Sequence, residues 1–418
     1  MPKRVNNLHV VTGVLLSVFQ KTGMPVSARL ICTGVAVLLF ANLLAADEFS
    51  ILRNSSVLGR NYGLPPVLEF NRQVMFDGVY RQLQAGDLSL IIELDLFAKN
   101  LELTGSPNID GETFFGFGTP LRLNLLASEQ VQIELGAYLG RNYGDDDSLD
   151  ISEPLARVIF EPIPSIYGIA GSLIQTHWIH DGLWDDVFVF RDTQQTGLQF
   201  RSDRQQWKAD YWIDWRVRET ALRSEQFDGA VINQFRFGQI WLDGQFFWSH
   251  TGGQKNAMNQ IINSSSGMLG LSYGFGPQTE YGNPLRIGVS YVGSELEERG
   301  MPTTTGQGTE YWVFSDICFS NEQTLRLFGK YFDGDSFFAS RGDPHYRFDQ
   351  YSQLGFDWVK SVSADLDLEF GFVGQWADDT FMNTFQINLA WQYGVWLGNV
   401  RQRAREFVFE PFPEDAAQ

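Results

Sequence analysis

The chain has five histidines and two cysteines, which bounds the chemistry it could do. His177-x-x-His180-Asp181 places two imidazoles and a carboxylate close together, as a transition-metal site would need. No clear third strong ligand follows, so His177, His180 and Asp181 are weak metal candidates, and no metal or other cofactor is expected. Ser249-His250 sets a hydroxyl beside a general base, the start of a nucleophilic site. No nucleophile motif surrounds the pair and no acid partner is identifiable, so no enzyme and no catalytic residue are expected. Asp145-Asp146-Asp147 with Asp150 could hold a divalent cation, although an acidic run is usually just solvated. Asp181, Asp185 and Asp186 form another acidic group within 174–193. There Trp178, Ile179, Leu183, Trp184, Val187, Phe188, Val189 and Phe190 are too apolar for a loop standing in water.

The whole chain narrows the classes further. Its 418 residues carry 31 Lys and Arg against 50 Asp and Glu, a net charge of −19, which argues against a nucleic-acid binder. With 34 Phe, 12 Trp and 14 Tyr there is too much apolar surface for disorder. Lys3, Arg4, Lys21 and Arg29 are the only charges of residues 1–46, and an apolar stretch from Leu30 to Ala46 follows them. This reads as a signal peptide cut after Ala45 or Ala46, with Met24 as a second candidate start. A membrane anchor is the other reading, disfavoured because the apolar stretch is short for a span. Cleavage would remove Cys32 and leave Cys318 alone, so no internal disulfide is expected.

The elements that must position these residues show a period of two. Leu88, Leu90, Ile92, Leu94 and Leu96 share one parity, with Ser89, Glu93 and Asp95 on the other. Trp207, Ala209, Tyr211, Ile213, Trp215 and Val217 alternate with Lys208, Asp210, Asp214 and Arg216. The same holds over 269–275 and 385–395. Successive side chains on a strand point to opposite faces, so each segment has one apolar and one polar face. Sixteen strands are predicted: 88–98, 113–126, 130–140, 154–161, 165–173, 194–201, 206–217, 230–238, 240–249, 267–276, 284–292, 310–319, 324–332, 350–359, 365–376 and 383–396. Short connections take turns with long ones at 99–112, 141–153, 174–193, 218–229, 250–266, 293–309 and 333–349. That asymmetry is the mark of an up-and-down barrel set in a membrane.

A secreted soluble β-sandwich binding carbohydrate would also alternate, but it needs only one core. Here the apolar parity is rich in Leu, Phe, Tyr and Trp on nearly every strand. Aromatics gather near strand ends (Trp207, Trp241, Trp248, Tyr291, Tyr311, Tyr331, Trp358, Trp391 and Tyr393), where interfacial girdles sit. The expected fold is all-β: a transmembrane up-and-down antiparallel β-barrel of about sixteen strands. The predicted organisation is a signal peptide over 1–46 and a periplasmic segment or plug over 47–86, including the turn Asn61–Pro66. The barrel follows over 87–396, and a periplasmic tail or closing-strand extension over 397–418.

On this pattern, residues 88–396 resemble Gram-negative outer-membrane β-barrels, and most of all the sixteen-stranded porins. The resemblance implies an outer-membrane channel for passive diffusion of small hydrophilic solutes, set in lipid and lipopolysaccharide. It also implies insertion by the barrel assembly machinery, and a homotrimer as the candidate assembly. The ending departs from that family, because Trp396 is followed by a further 22 residues, including the Phe-rich run Glu406–Phe412. The charges on the polar parity would line the lumen: Arg122, Arg157, Lys208, Arg216, Arg236, Arg286, Arg326 and Lys330, with Glu93, Asp95, Glu134, Asp210, Asp214, Asp243, Asp316, Asp357, Asp367 and Glu369. In such porins the third long loop folds inward. The same in 174–193 would set Asp181, Asp185 and Asp186 across a constriction from part of the basic row, whose transverse field orients solutes. The alternative is a loop that caps the barrel or covers a subunit interface. The acid excess suggests a weak preference for cations. A barrel dedicated to export or uptake of one polysaccharide or oligosaccharide is the other functional reading.

Overall fold

The computed structural model describes residues 73–76, 79–104, 111–144, 151–185, 188, 194–253, 261–276, 285–320, 323–363, 366–377 and 380–401. The predicted signal peptide, the Asn61–Pro66 turn, the Asp145–Asp150 cluster, Asp186 and the tail from 402 onward lie outside these residues. A short hairpin, β1 (Gln73–Phe76) and β2 (Val79–Gln82), comes first. The following strands are β3 (Asp87–Thr104), β4 (Glu112–Ser128), β5 (Val131–Asn142), β6 (Ile151–Ile163), β7 (Ile166–Ser172), β8 (Thr196–Arg204), β9 (Trp207–Val217) and β10 (Glu225–Phe237). Then come β11 (Ile240–Gly252), β12 (Ile262–Phe275), β13 (Leu285–Glu298), β14 (Thr304–Ser320), β15 (Gln323–Asp335), β16 (Gln350–Ser363), β17 (Leu366–Ala377) and β18 (Thr380–Asn399).

Strands β3 to β18 pair with their sequence neighbours and close into one barrel. Closure is made by β18 against β3, antiparallel, with Leu389 opposite Leu96 and Tyr393 opposite Ile92. Closing the sheet leaves no unpaired edge, the condition for crossing hydrocarbon, where water cannot satisfy backbone groups. The short turns share one rim. One is Gly238-Gln239 between β10 and β11, where Gly238 takes the positive φ (63°) that a tight reversal asks for.

Parity decides which solvent each face meets. On β11, Gln245 and Phe247 touch the segment that runs inside the barrel, so the odd positions point inward. The even positions Leu242, Phe246 and Trp248 are exposed, as are Leu269 (70% exposed) and Leu271 on β12. Asp214, Arg286 and Glu369 are buried on the inner face. A soluble sandwich requires the reverse, with leucines enclosed and charges outward, so that reading is excluded. The chain is an outer-membrane β-barrel. A charge on the lipid side at mid-bilayer would cost about 2–4 kcal/mol, which explains why the ionic residues keep to one parity. Trp241 is an exception among the expected girdle aromatics: it is buried on the inner face, with the Arg286 guanidinium 4.3 Å from its ring centre.

Candidate functional site

The lumen is filled from the rim that carries the long connections. Between β7 and β8 the chain turns inward at Leu173, and Trp178, Ile179, Leu183 and Trp184 join an apolar cluster with Trp212, Phe247, Phe332 and Tyr346. Inward-facing amides anchor this third loop. The Gln199 amide donates to the Ile174 carbonyl (3.1 Å), and its oxygen accepts from the Ile174 N–H (2.9 Å). Gln245 does the same further on, accepting from the His180 N–H (2.6 Å) and donating to the Trp178 carbonyl (3.3 Å). Arg201 donates to the Thr176 carbonyl at 3.2 Å.

A second loop, between β15 and β16, enters beside it and contains a 3-10 turn over Pro344–Arg347. The Asp343 N–H donates to the Asp181 carbonyl (2.9 Å), and the Asp185 N–H to the Arg341 carbonyl (2.6 Å). The Arg341 guanidinium reaches Asp228 of β10 at 3.1 Å. The two loops thus hold each other inside the barrel.

Between them lies a buried ionic cluster. Lys330 Nζ stands 2.5 Å from Asp181 Oδ2 and 4.0 Å from Glu310. His180 Nε2 is 3.2 Å from Glu310, to which the Tyr346 hydroxyl also donates. Burial pushes the Asp181 carboxyl above its ordinary range, against the pull of Lys330. Burial, reinforced by the charge of Glu310, raises the Tyr346 phenol well above its usual value. Burial would raise Asp343 too, but His345 beside it brings that carboxyl below the normal range. Next to the cluster is a cavity of about 60 Å³ between the third loop and the inner walls of β10–β15.

The basic residues singled out from the sequence do point inward, yet they meet different acids. Arg122 pairs with Glu93, and Arg157 with Glu134 at 2.6 Å. Arg326 meets Asp316 (2.7 Å), Arg286 meets Asp243 (3.8 Å) and Arg216 meets Asp228 (3.6 Å). Lys208 is buried, and Arg236 stacks over Trp241. Of the loop aspartates, Asp181 faces a member of that row, Lys330, and Asp185 contributes its backbone N–H to the loop–loop contact; Asp186 lies outside the described residues. The weak metal set is dispersed. His177 lies between Asp210 and Gln195, both at 2.7 Å, whereas His180 turns to Glu310 and Asp181 to Lys330. Among the described residues no group of three or more His, Cys, Asp or Glu side chains is arranged to hold a metal. Glu310, Arg341 and Tyr346 were missed in the sequence because nothing local marks residues that meet only after two loops fold inward.

The Ser249-His250 pair is split by the strand. Ser249 has the inward parity of β11 and His250 the outward one. His250 lies two residues from the end of β11 on the long-loop rim, the extracellular side of such barrels. Its Nδ1 is 2.7 Å from Asn263 Oδ1 on β12, directly opposite in register. The Phe227 ring lies 4.9 Å from the imidazole and 4.7 Å from Trp248. A Cβ added at Gly252 would stand 2.8 Å from His250 Nε2, so the glycine leaves that nitrogen room.

Known proteins can be set beside this geometry. Solved structures similar to it include OmpT of Vibrio cholerae, with 10% identity over 74% of this chain and 99% of that one, at a TM-score of 0.47. Another is the anion-selective porin of Comamonas acidovorans (10% identity, 73% and 100% covered, TM-score 0.45). A third is OprD of Pseudomonas aeruginosa (11% identity, 75% and 97% covered, TM-score 0.40). No curated protein matches the chain. The profile of one family, described as "Lipid A 3'-O-deacylase-type", matches residues 80–363. That match overturns the expectation that no enzyme is implied, since the family is named for an enzyme. The expectation failed for a physical reason: groups that meet on a barrel wall come from different strands, so a site there leaves no contiguous motif. With the match running from before β3 to the end of β16, well over half of its length, the chain belongs to the Lipid A 3'-O-deacylase-type family.

Proposed function

We propose that this protein is an outer-membrane hydrolase that releases an ester-linked acyl chain from lipid A in the surrounding outer leaflet. The observation that carries the proposal is the family match across β3–β16. The lumen agrees with it: two loops and an apolar cluster pack its interior, unlike a wide diffusion pore. The substrate of such an enzyme lies outside the barrel, so the outer wall is where its acyl chains can be met. On this reading lipopolysaccharide is the source of substrate, and the 1–46 leader and the barrel assembly machinery deliver the chain to the membrane. The test is purified protein reconstituted in vesicles containing lipid A, followed by mass spectrometry of the lipid. Loss of one acyl chain per lipid with release of free fatty acid is the expected result. Intact lipid A under all conditions of pH and divalent cation would rule the activity out.

A second reading is passage of small hydrophilic solutes, or of an oligosaccharide or polysaccharide, through the lumen. It is favoured by the charged inner face, which carries Arg122, Arg157, Arg286 and Arg326 with their acidic partners. Planar-bilayer recordings separate the two: discrete conductance steps support passage, and steps blocked by one glycan mark a dedicated route.

A further inference from the structure

We infer that the outer wall of β6–β10 holds one glycerophospholipid of the leaflet on the short-turn side, by its phosphate, an ester and one acyl chain. This site is separate from the function proposed above and does not depend on it. An open groove of about 590 Å³ runs across β6–β9 on the lipid face. β7 forms its floor, where the outward positions are Gly168 and Ala170. Phe160 of β6 stands on one side. Phe200 of β8 and Tyr211 of β9 stand on the other, their rings stacked 5.4 Å apart. A floor without bulk between aromatic walls suits a flexible alkyl chain, which fills such a depression through dispersion contacts.

A polar group beside the groove marks the ester. Asn233 of β10 has the outward parity of Val231 and Phe235, both exposed on the lipid face. Its Oδ1 accepts from the Trp207 indole N–H (3.2 Å) and from the Tyr211 hydroxyl (2.6 Å). An indole nitrogen only donates, so the accepting atom is the oxygen and the amide orientation is fixed. Its Nδ2 group then has no acceptor among the described residues. An amide N–H left without a partner in hydrocarbon is costly, and an ester carbonyl supplies the acceptor. Asn233 lies two positions from Phe235, which pairs with Trp207 at the start of β9, so it sits about 7 Å along the strand from the rim. At that rim Arg204, opposite Trp207, has the parity of Leu198 and Phe200 and is exposed, with no ion pair among the described residues. A guanidinium, an amide and an apolar groove thus follow one another inward from the short-turn rim. A glycerophospholipid carries phosphate, ester and acyl chain in that order, a few bonds apart. Its headgroup meets this rim only in the short-turn leaflet; a lipid of the other leaflet would bring its chain ends here.

The test is native mass spectrometry of the full chain, folded into vesicles of phosphatidylethanolamine and phosphatidylglycerol and then extracted into detergent. Heat-modifiable migration on gels confirms that each barrel is closed. Wild type should keep one phospholipid bound. Arg204→Gln and Asn233→Leu should each lower the retained fraction about tenfold, the scale of one hydrogen bond to a charged or desolvated group. Gly168→Leu should do the same by filling the floor, and a Cβ there meets nothing nearer than 4.0 Å, so the wall accepts it. Leu271→Ala, elsewhere on the outer wall, should leave retention unchanged. The inference is overturned if wild type keeps no phospholipid, if the three groove variants keep as much as wild type, or if Leu271→Ala loses it equally. It also falls if lipid A displaces the phospholipid at equal concentration. A Gly168→Leu variant that changes only the number of chains in the particle overturns it too, marking an interface between copies. Acyl release is not part of this readout, so the proposed function stands or falls separately.

Discussion

At the scale of the residue, this barrel tolerates ions by pairing them. Lys330 lies between Asp181 and Glu310 in a site closed by the third loop, and each carboxylate there is exposed by no more than a few per cent. Removing one partner of a buried pair strands the other, typically for about 3–5 kcal/mol. Lys330→Met should therefore destabilise the folded barrel by about that amount in denaturant titrations. Adding Asp181→Asn to it should recover part of the loss, and a double variant no better than the single one would show that Asp181 and Lys330 are not coupled. The lipid face offers the opposite case. Leu269, at the middle of β12, is 70% exposed to hydrocarbon. Leu269→Arg should cost about 2–4 kcal/mol in folding into vesicles, and a neutral result would contradict the membrane position of that strand.

At the scale of the element, the loop between β15 and β16 is held in the lumen by a device of its own. Asp343 caps the 3-10 turn, accepting from the His345 N–H at 2.9 Å and pairing with the His345 ring. Its pKa in the folded state lies below the ordinary carboxylate value near 3.9. The stabilisation is thus fully present above about pH 4 and is lost as pH falls through the lower folded value. Hydrogen exchange over 336–349 should speed up in that acid window in wild type, and Asp343→Asn should abolish the dependence. The strands were easier to read than this loop. Each of the sixteen predicted segments overlaps one barrel strand, because lipid on one side and polar matter on the other imprint a period of two. The inward packing of 336–349 left no such trace. Its apolar residues Phe337, Phe338, Ala339, Tyr346 and Phe348 follow neither the period of a strand nor that of a helix, so they do not announce a buried loop.

At the scale of the whole molecule, closure is the property on which the rest depends. The long β3–β18 seam ties the first barrel strand to the last, and Asn399 reaches back to Asp87 at 2.9 Å. The sequence by itself determined the class of fold, the number of strands and the parity that faces lipid. Those follow from local alternation, since each strand meets the same two solvents whatever its neighbours. Only the tertiary structure decided which side chains share a site. His180 and Glu310 are 130 positions apart, Lys330 and Asp181 149 apart, and His250 finds Asn263 only across a strand pair. Register and loop entry bring such groups together. Both are set by long-range closure and packing, which no window along the chain contains.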